Sequence, residues 1–172
     1  MQVSHPQVKI VELTSIDLAQ MEQLTELLIQ VVEDGASIGF LPPLSKNEAM
    51  QYWQEVLSPG VILWIAVKNE RIVGAVQLHL ALKQNASHRA EVAKLMVHPK
   101  ERKQGIARML MQTMEERAER EARSLLVLDT RGGDPSNLLY RSLGYIEAGR
   151  IPQFARSATG ELHETVFYYK KI

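Results

Sequence analysis

The chain of 172 residues contains no cysteine. That excludes disulfides, thiolate zinc sites and a cysteine nucleophile together, and it suits a reducing, cytoplasmic setting. Excess charge of either sign is also missing, because 20 Lys and Arg balance 20 Asp and Glu. A neutral chain has no overall basic footprint of the kind that drives nucleic-acid or membrane-surface binding, so any charge-driven function must be local. No segment approaches the roughly 18 uninterrupted apolar residues of a membrane span. The N-terminus shows neither the basic flank nor the apolar stretch of a secretory leader. The five histidines include no pair at i, i+4 on a helix, so no metal site is expected. What remains is a soluble, intracellular domain of ordinary size, long enough to bury a core without staples.

Periodicity divides the chain into alternating elements. Val8 to Leu13 alternates as a strand, and "TSID" offers capping side chains to a helix whose Leu18, Met21, Leu24, Leu27, Leu28, Val31 and Val32 share one stripe. "DGASIGFLPPLS" (34–45) carries two glycines and a Pro-Pro pair and reads as a loop. A short helix over about 46–57 follows, then two strands joined by a tight connection at Asn69-Glu70. "RAEVAKLMV" (89–97) is a further strand, which Pro99 prevents from continuing. The next helix is the clearest, with Ile106, Met109, Leu110, Thr113, Met114, Arg117 and Ala118 assigned to its inner face. "SLLVLD" (124–129) is a continuous apolar run, the pattern of a central strand covered on both faces. "DPSNLLYRSLGY" makes a short helix ended by Gly144, and "YIEAG" and "TVFYY" are closing strands separated by the polar "RSATGELHE".

Between the strand ending at Val97 and the long helix lies "HPKERKQG". The first amides of a helix have no internal partners and its dipole is positive at that end, so anions bind there, and a glycine lets backbone approach them. With Arg102, Lys103 and Arg108 nearby, the loop reads either as a phosphate or pyrophosphate cradle or as a solvated basic loop before an ordinary helix. It is neither a P-loop nor a dinucleotide fingerprint, since it has one glycine where those need more.

"RKQGIA" (102–107) resembles the acetyl-CoA signature of the GNAT superfamily of N-acetyltransferases, written as Arg or Gln, two residues, Gly, one residue, Gly or Ala. The strand "KLMV" before it, the helix after it and the Asn and Tyr of "DPSNLLYRSLGY" extend the resemblance to the whole chain. "GASIGF", "RAEVAKLMV", "LDT" and "GELHETVFYYK" are similar to the branch of tabtoxin-resistance and related small-molecule N-acetyltransferases. The resemblance implies one α/β (α+β) domain over 1–172, with a mixed central sheet of about six or seven strands and about four flanking helices. It implies acetyl-CoA as cosubstrate, no metal, a small-molecule amine acceptor of amino-acid-like, antibiotic or toxin type, and a possible homodimer. The alternatives are acetylation of a protein N-terminus or lysine, and a non-catalytic acyl-CoA-binding module.

Carried onto this sequence, the resemblance gives the pyrophosphate to the amides of Gln104, Gly105, Ile106 and Ala107, with Arg102, Lys103 and Arg108 around it. The backbone of Leu95, Met96 and Val97 would pair with the pantetheine arm as an added strand does, and Asn137 would contact that arm. An alkylammonium with a pKa of about 10.4 must lose a proton before it attacks a thioester, and a carboxylate is the natural acceptor. Glu91 and Asp129 are the candidates, each with a structural alternative: an ion pair for Glu91 and a loop cap for Asp129. Tyr140 sits where the family places the acid that protonates the leaving thiolate. Ser37 and Phe40, with Glu91 and Asp129, would meet the acceptor, which is expected to enter between "GASIGFLPPLS" and "IPQFARSATGELHE".

Overall fold

A computed structural model describes residues 7–172; the expectation about a leader falls partly outside them. Strand β1 (Lys9–Leu13) leads to helix α1 (Leu18–Glu33), which opens on a reciprocal cap: Asp17 Oδ1 accepts from Gln20 N at 2.8 Å and Gln20 Oε1 from Asp17 N at 3.0 Å. Helix α2 (Lys46–Glu55) opens the same way on Ser45 and Glu48. Strands β2 (Val61–Lys68) and β3 (Arg71–Leu80) form a hairpin whose two turn residues, Asn69 and Glu70, both have positive φ, as a two-residue turn matched to strand twist requires. Then come β4 (Arg89–Val97), α3 (Ile106–Arg120), β5 (Leu125–Arg131), α4 (Ser136–Ser142), β6 (Ile146–Arg156) and β7 (Leu162–Lys171).

The seven strands make one mixed sheet in the order β1-β2-β3-β4-β5-β7-β6, antiparallel except for β4 beside β5. Parallel neighbours need a crossover, which α3 supplies. On one face, α3 and α4 pack with Trp64, Val76, Ala90, Val92, Leu110, Met114, Leu126 and Tyr168. On the other, α1 and α2 bury Leu28, Trp53, Leu63, Ile65, Ala75 and Met96, a cluster that draws on β1 to β4 and on none of β5, β6 and β7. The strand covered on both faces is therefore β3, buried without a break from Ile72 to Leu78, and not β5. In β5 only Leu126 and Leu128 are buried while Leu125 and Val127 are half-exposed, because α1 and α2 stop short of it.

Two further expectations change. The inner face of α3 is Ile106, Leu110, Met111, Met114 and Ala118, with Met109 turned outward. Glu115, outside the expected inner face, lies at the margin of the core with its carboxylate 2.6 Å from Lys170 Nζ. The closing hairpin is longer than expected, since "IPQFAR" belongs to β6 and "LHE" to β7, leaving a connection over 157–161. As the outermost strand, β6 needs no apolar alternation: ten of its eleven residues are exposed, which removed the signal used to find it.

The sheet breaks its regularity at β4. Met96 stands opposite Ala75 and Ala93 opposite Gln77, so Lys94 and Leu95 both fall across from Val76, a bulge in which Lys94 takes φ +54°. On its other side β4 pairs with β5 only through Arg89–Leu125, Ala90–Leu126 and Glu91–Val127. Beyond that point the two strands part.

Gly74 fixes how closely β3, the bulged end of β4 and α3 approach. A Cβ there would lie 2.9 Å from the Met96 carbonyl oxygen and 3.2 Å from Leu110 Cδ1. Gly74→Ala is expected to destabilise the protein by about 1–3 kcal/mol through overpacking, read as a lower denaturant midpoint with unchanged slope.

Candidate active site

The loop between β4 and α3 is held by its own charges. Lys68 Nζ bonds Glu101 at 2.6 Å and Gln104 Oε1 at 2.8 Å, and this contact with Lys68 draws the Glu101 carboxyl below its ordinary pKa. Arg102 donates from Nε to the Val97 carbonyl at 3.3 Å and from Nη1 to Asp34 Oδ2 at 2.6 Å. Lys103 and Gly105 both turn through positive φ, +61° and +79°. The first bond of α3 runs from Met109 N–H to the Gly105 carbonyl, so the amides from Gln104 to Arg108 have no backbone acceptor among the described residues. Among the described residues, no atom outside the adjoining chain comes within 4 Å of a Cβ built at Gly105. Open space over a row of free amides is the geometry of an anion site.

The separation of β4 from β5 opens beside this loop. Leu95 and Val97 pack toward the α3 core and Met96 is buried in the α1–α2 core, so their side chains are structural. Their backbone pairs with β3 on one side, through Met96–Ala75 and Val97–Gly74, and among the described residues meets no strand on the other. An unpaired strand edge accepts an extended ligand that carries amides.

At the end of the gap, Asn137 donates from Nδ2 to the carbonyls of Arg131 and Asp134, both at 2.9 Å, and accepts the Tyr168 hydroxyl at 2.8 Å. Tyr140, one turn on, is buried between the rings of Tyr145 and Tyr168, 5.9 and 6.0 Å away. No hydrogen bond among the described residues engages its hydroxyl, and burial, with a smaller push from Asp129, raises its pKa well above that of an ordinary tyrosine.

On the opposite face, where α1 and α2 end, Glu91 and Asp129 are exposed. Asp129 Oδ2 accepts the Thr165 hydroxyl at 2.9 Å. Behind Glu91 runs a chain of side chains: Gln77 donates to the Tyr52 hydroxyl at 2.6 Å and its Oε1 lies 2.8 Å from His79 Nε2, His79 being the β3 partner of Glu91. Burial lowers the His79 pKa and Glu91 opposes that shift. Ser37 and Phe40 line a cavity of about 230 Å³ together with Arg131, Arg156 and Ser157, which brings the two segments expected at the acceptor entrance to one place.

A family model described as Acetyltransferase (GNAT) family matches residues 21–145. The chain belongs to the GNAT family. Solved structures share its fold at low identity. A ribosomal-protein-alanine N-acetyltransferase from Brucella melitensis is 20% identical with a TM-score of 0.79, over 95% of this chain and 99% of that one. The yncA protein of Salmonella typhimurium, solved with its cofactor acetyl-CoA, is 17% identical with a TM-score of 0.78, over 95% and 93%. A GCN5-related N-acetyltransferase from Kribbella flavida is 18% identical with a TM-score of 0.79, over 96% and 98%.

Measured against the roles the GNAT resemblance implies, the positions divide. Gln104, Gly105, Ile106 and Ala107 sit at the open helix start, and Leu95, Met96 and Val97 at the free edge. Arg102 is engaged with Asp34 and Val97, and Arg108 donates to Ser142 Oγ at 2.6 Å, tying α3 to α4. Lys103 is exposed. Asn137 is held by three internal bonds, so the turn over 131–134 and Tyr168 depend on it. Sequence reasoning missed Lys94, Tyr52, Gln77, His79 and Thr165. For Lys94 a signal existed: strict alternation along "RAEVAKLMV" would set its ammonium among Ala90 and Val92 in the core, which a lysine does not tolerate, so the strand had to slip phase.

Asn137→Ala is expected to lower stability by about 1–3 kcal/mol, because it leaves the buried Tyr168 hydroxyl without its acceptor and strips the carbonyls of Arg131 and Asp134 of one of their two donors. Equilibrium unfolding in denaturant measures this; a loss under about 0.5 kcal/mol would mean that water replaces the amide.

Proposed function

We propose that the protein transfers an acetyl group from acetyl-CoA to the primary amine of a small molecule, by direct transfer with both substrates bound. The observation that carries this reading is the juxtaposition of three features: free amides at the α3 start, an unpaired β4 edge beside them, and carboxylates on the far side of the same opening. The residues fit the cosubstrate: Gly105 leaves room for a pyrophosphate over the amides of Gln104 to Arg108, and Leu95 to Val97 offer backbone to the amides of a pantetheine arm. Bound there, acetyl-CoA supplies a thioester whose carbonyl carbon forms the new bond to nitrogen as its bond to sulfur breaks.

The chain's own task is proton movement. Glu91 or Asp129 takes the proton that an alkylammonium must lose, directly or through water. Tyr140 holds its proton firmly at neutral pH and gives it to the departing sulfur, recovering the second proton of the amine. Without cysteine, no thiol in the chain takes the acetyl group first. Ser37 and Phe40 border the acceptor, whose entrance of about 230 Å³ suits a small polar amine, the acceptor class of the tabtoxin-resistance branch. The reading extends to a cytoplasmic setting, which the lack of cysteine supports. No membrane or nucleic-acid partner is part of it, and self-association follows from the resemblance alone.

Calorimetric titration with acetyl-CoA, followed by free-thiol release over amino acids, polyamines, aminoglycosides and short peptides, tests the reading. Binding with amine-dependent thiol release is expected. Absence of binding would overturn it, and peptides as the best acceptors would favour acetylation of a protein N-terminus instead. Gly105→Glu should weaken acetyl-CoA at least tenfold, about 1.4 kcal/mol, by putting a like charge in the anion site. Tyr140→Phe, which keeps the buried ring, should lower kcat by about a hundredfold while the acetyl-CoA dissociation constant stays nearly constant. Equal turnover would remove Tyr140 from the reaction.

A further inference from the structure

Lys94 occupies a place that core packing does not explain. The bulge that carries it forces a non-glycine residue to φ +54°, a strained conformation of the kind that clusters where backbone serves a site. The phase slip moves its side chain from the α3 face to the face of Glu91 and Asp129. There Nζ stands 5.9 Å over the centre of the Phe40 ring, and a Cβ at position 39 would lie 3.2 Å from it, so the loop after α1 is shaped around this ammonium. Gly39 and Phe40 are also walls of the entrance cavity.

The ammonium has no settled partner. Among the described residues, no carboxylate lies within 4.0 Å of Nζ and it donates no hydrogen bond; burial lowers its pKa, and the charges of Asp129 and Glu91 only partly oppose that shift. Most other cations close to the site are tied down: Lys68 by Glu101, Arg102 by Asp34 and Arg131 by Asp134. A half-buried charge without a hydrogen-bonded counter-ion loses hydration for nothing in the free protein. The cost is offset when a bound anion supplies the missing contact.

We propose that Lys94 is a specificity-determining residue that binds a carboxylate of the acceptor, so that the substrate is a zwitterion: a primary amine that also carries a carboxylate. This deepens the reading of the protein as a small-molecule N-acetyltransferase and rests on it. The charges around the opening match such a molecule at both ends, with Lys94 for its carboxylate and with Glu91 and Asp129 for its ammonium. A polyamine or an aminoglycoside, having only positive charge, would set a second cation against Lys94 and gain nothing from it.

Matched acceptors test the inference: an amino acid against its carboxamide, and β-alanine against propylamine, each assayed by thiol release. The wild-type protein should favour the carboxylated member in kcat/KM by at least about tenfold, even though the carboxamide has the less basic amine and is deprotonated more readily. Lys94→Gln should reduce that preference to within about threefold, chiefly by raising KM for the carboxylated member, while the calorimetric affinity for acetyl-CoA stays as in wild type and reports an intact fold. Lys94→Arg should retain most of the preference. Thiol release with equal or better rates on the carboxyl-free amines would overturn the role of Lys94 and leave the acetyltransferase reading standing. No thiol release with any amine, despite acetyl-CoA binding, would instead overturn the transfer reading and this inference with it.

Discussion

The interruption of β4 is the constraint on which the other features depend. A strand in mid-sheet ordinarily satisfies its backbone on both sides, and leaving groups unpaired inside a fold costs free energy comparable to a lost hydrogen bond for each one. Here the ladder to β5 ends after Glu91 and Val127, while the ladder to β3 continues only by admitting an extra residue at Lys94 and Leu95. The surrounding order makes this tolerable. Lengthwise, β4 stays clamped by β3, itself buried on both faces, and Gly74 lets the bulged end and α3 come close. The opening thus has rigid walls, which holds the free edge and the α3 amides in register with each other.

Electrostatics sharpen the same opening without any excess of charge in the chain as a whole. Surface ion pairs contribute little to stability, typically 0–1 kcal/mol, so Lys68–Glu101 and Arg102–Asp34 matter more for where they put the loop than for what they add to folding. Their effect is to pair Glu101 and Arg102 while fixing the path of the loop, whose Lys100 and Lys103 make no ion pair among the described residues. To those mobile cations the helix start adds oriented amides, which cannot swing away as a lysine can.

The sequence made the scaffold legible wherever an element is amphipathic. α1 shows its stripe and its cap, the β2–β3 hairpin shows its turn, and "RKQGIA" shows the turn into α3, because each follows from periodicity or from a glycine in a left-handed conformation. Legibility failed where tertiary context replaces pattern. β5 reads as doubly covered, yet helix length and position decide that α1 and α2 never reach it. β6 has no inner face to alternate against. Met109 and Met111 are equally apolar, and only the helix rotation set by the sheet tells them apart. Of the site, the loop could be read, while on the far face only the misfit of Lys94 with strict alternation was legible. Gln77 and His79 share β3, but Tyr52 meets them only because α2 packs on that face of the sheet, and the position of Lys94 turns on a one-residue slip that no period describes.

Asp129 links the two halves of the proposed chemistry. Its negative charge raises the pKa of Tyr140, and also favours the charged form of Lys94. While Asp129 is ionised, Tyr140 therefore keeps its proton more tightly than burial alone requires. A proton arriving on Asp129 from an acceptor amine removes that restraint at the moment a proton is wanted on the leaving sulfur. Base and acid would then be coupled through space rather than by a chain of hydrogen bonds, and the coupling needs only that the carboxylate lie near a buried phenol across a thin sheet. If Glu91 takes the amine's proton instead, Asp129 stays charged, Tyr140 remains the weaker acid, and sulfur must depart with more of its charge unneutralised. In the proposed chemistry the two carboxylates would therefore not be equivalent as bases, since the charge of Asp129 bears on the acidity of Tyr140.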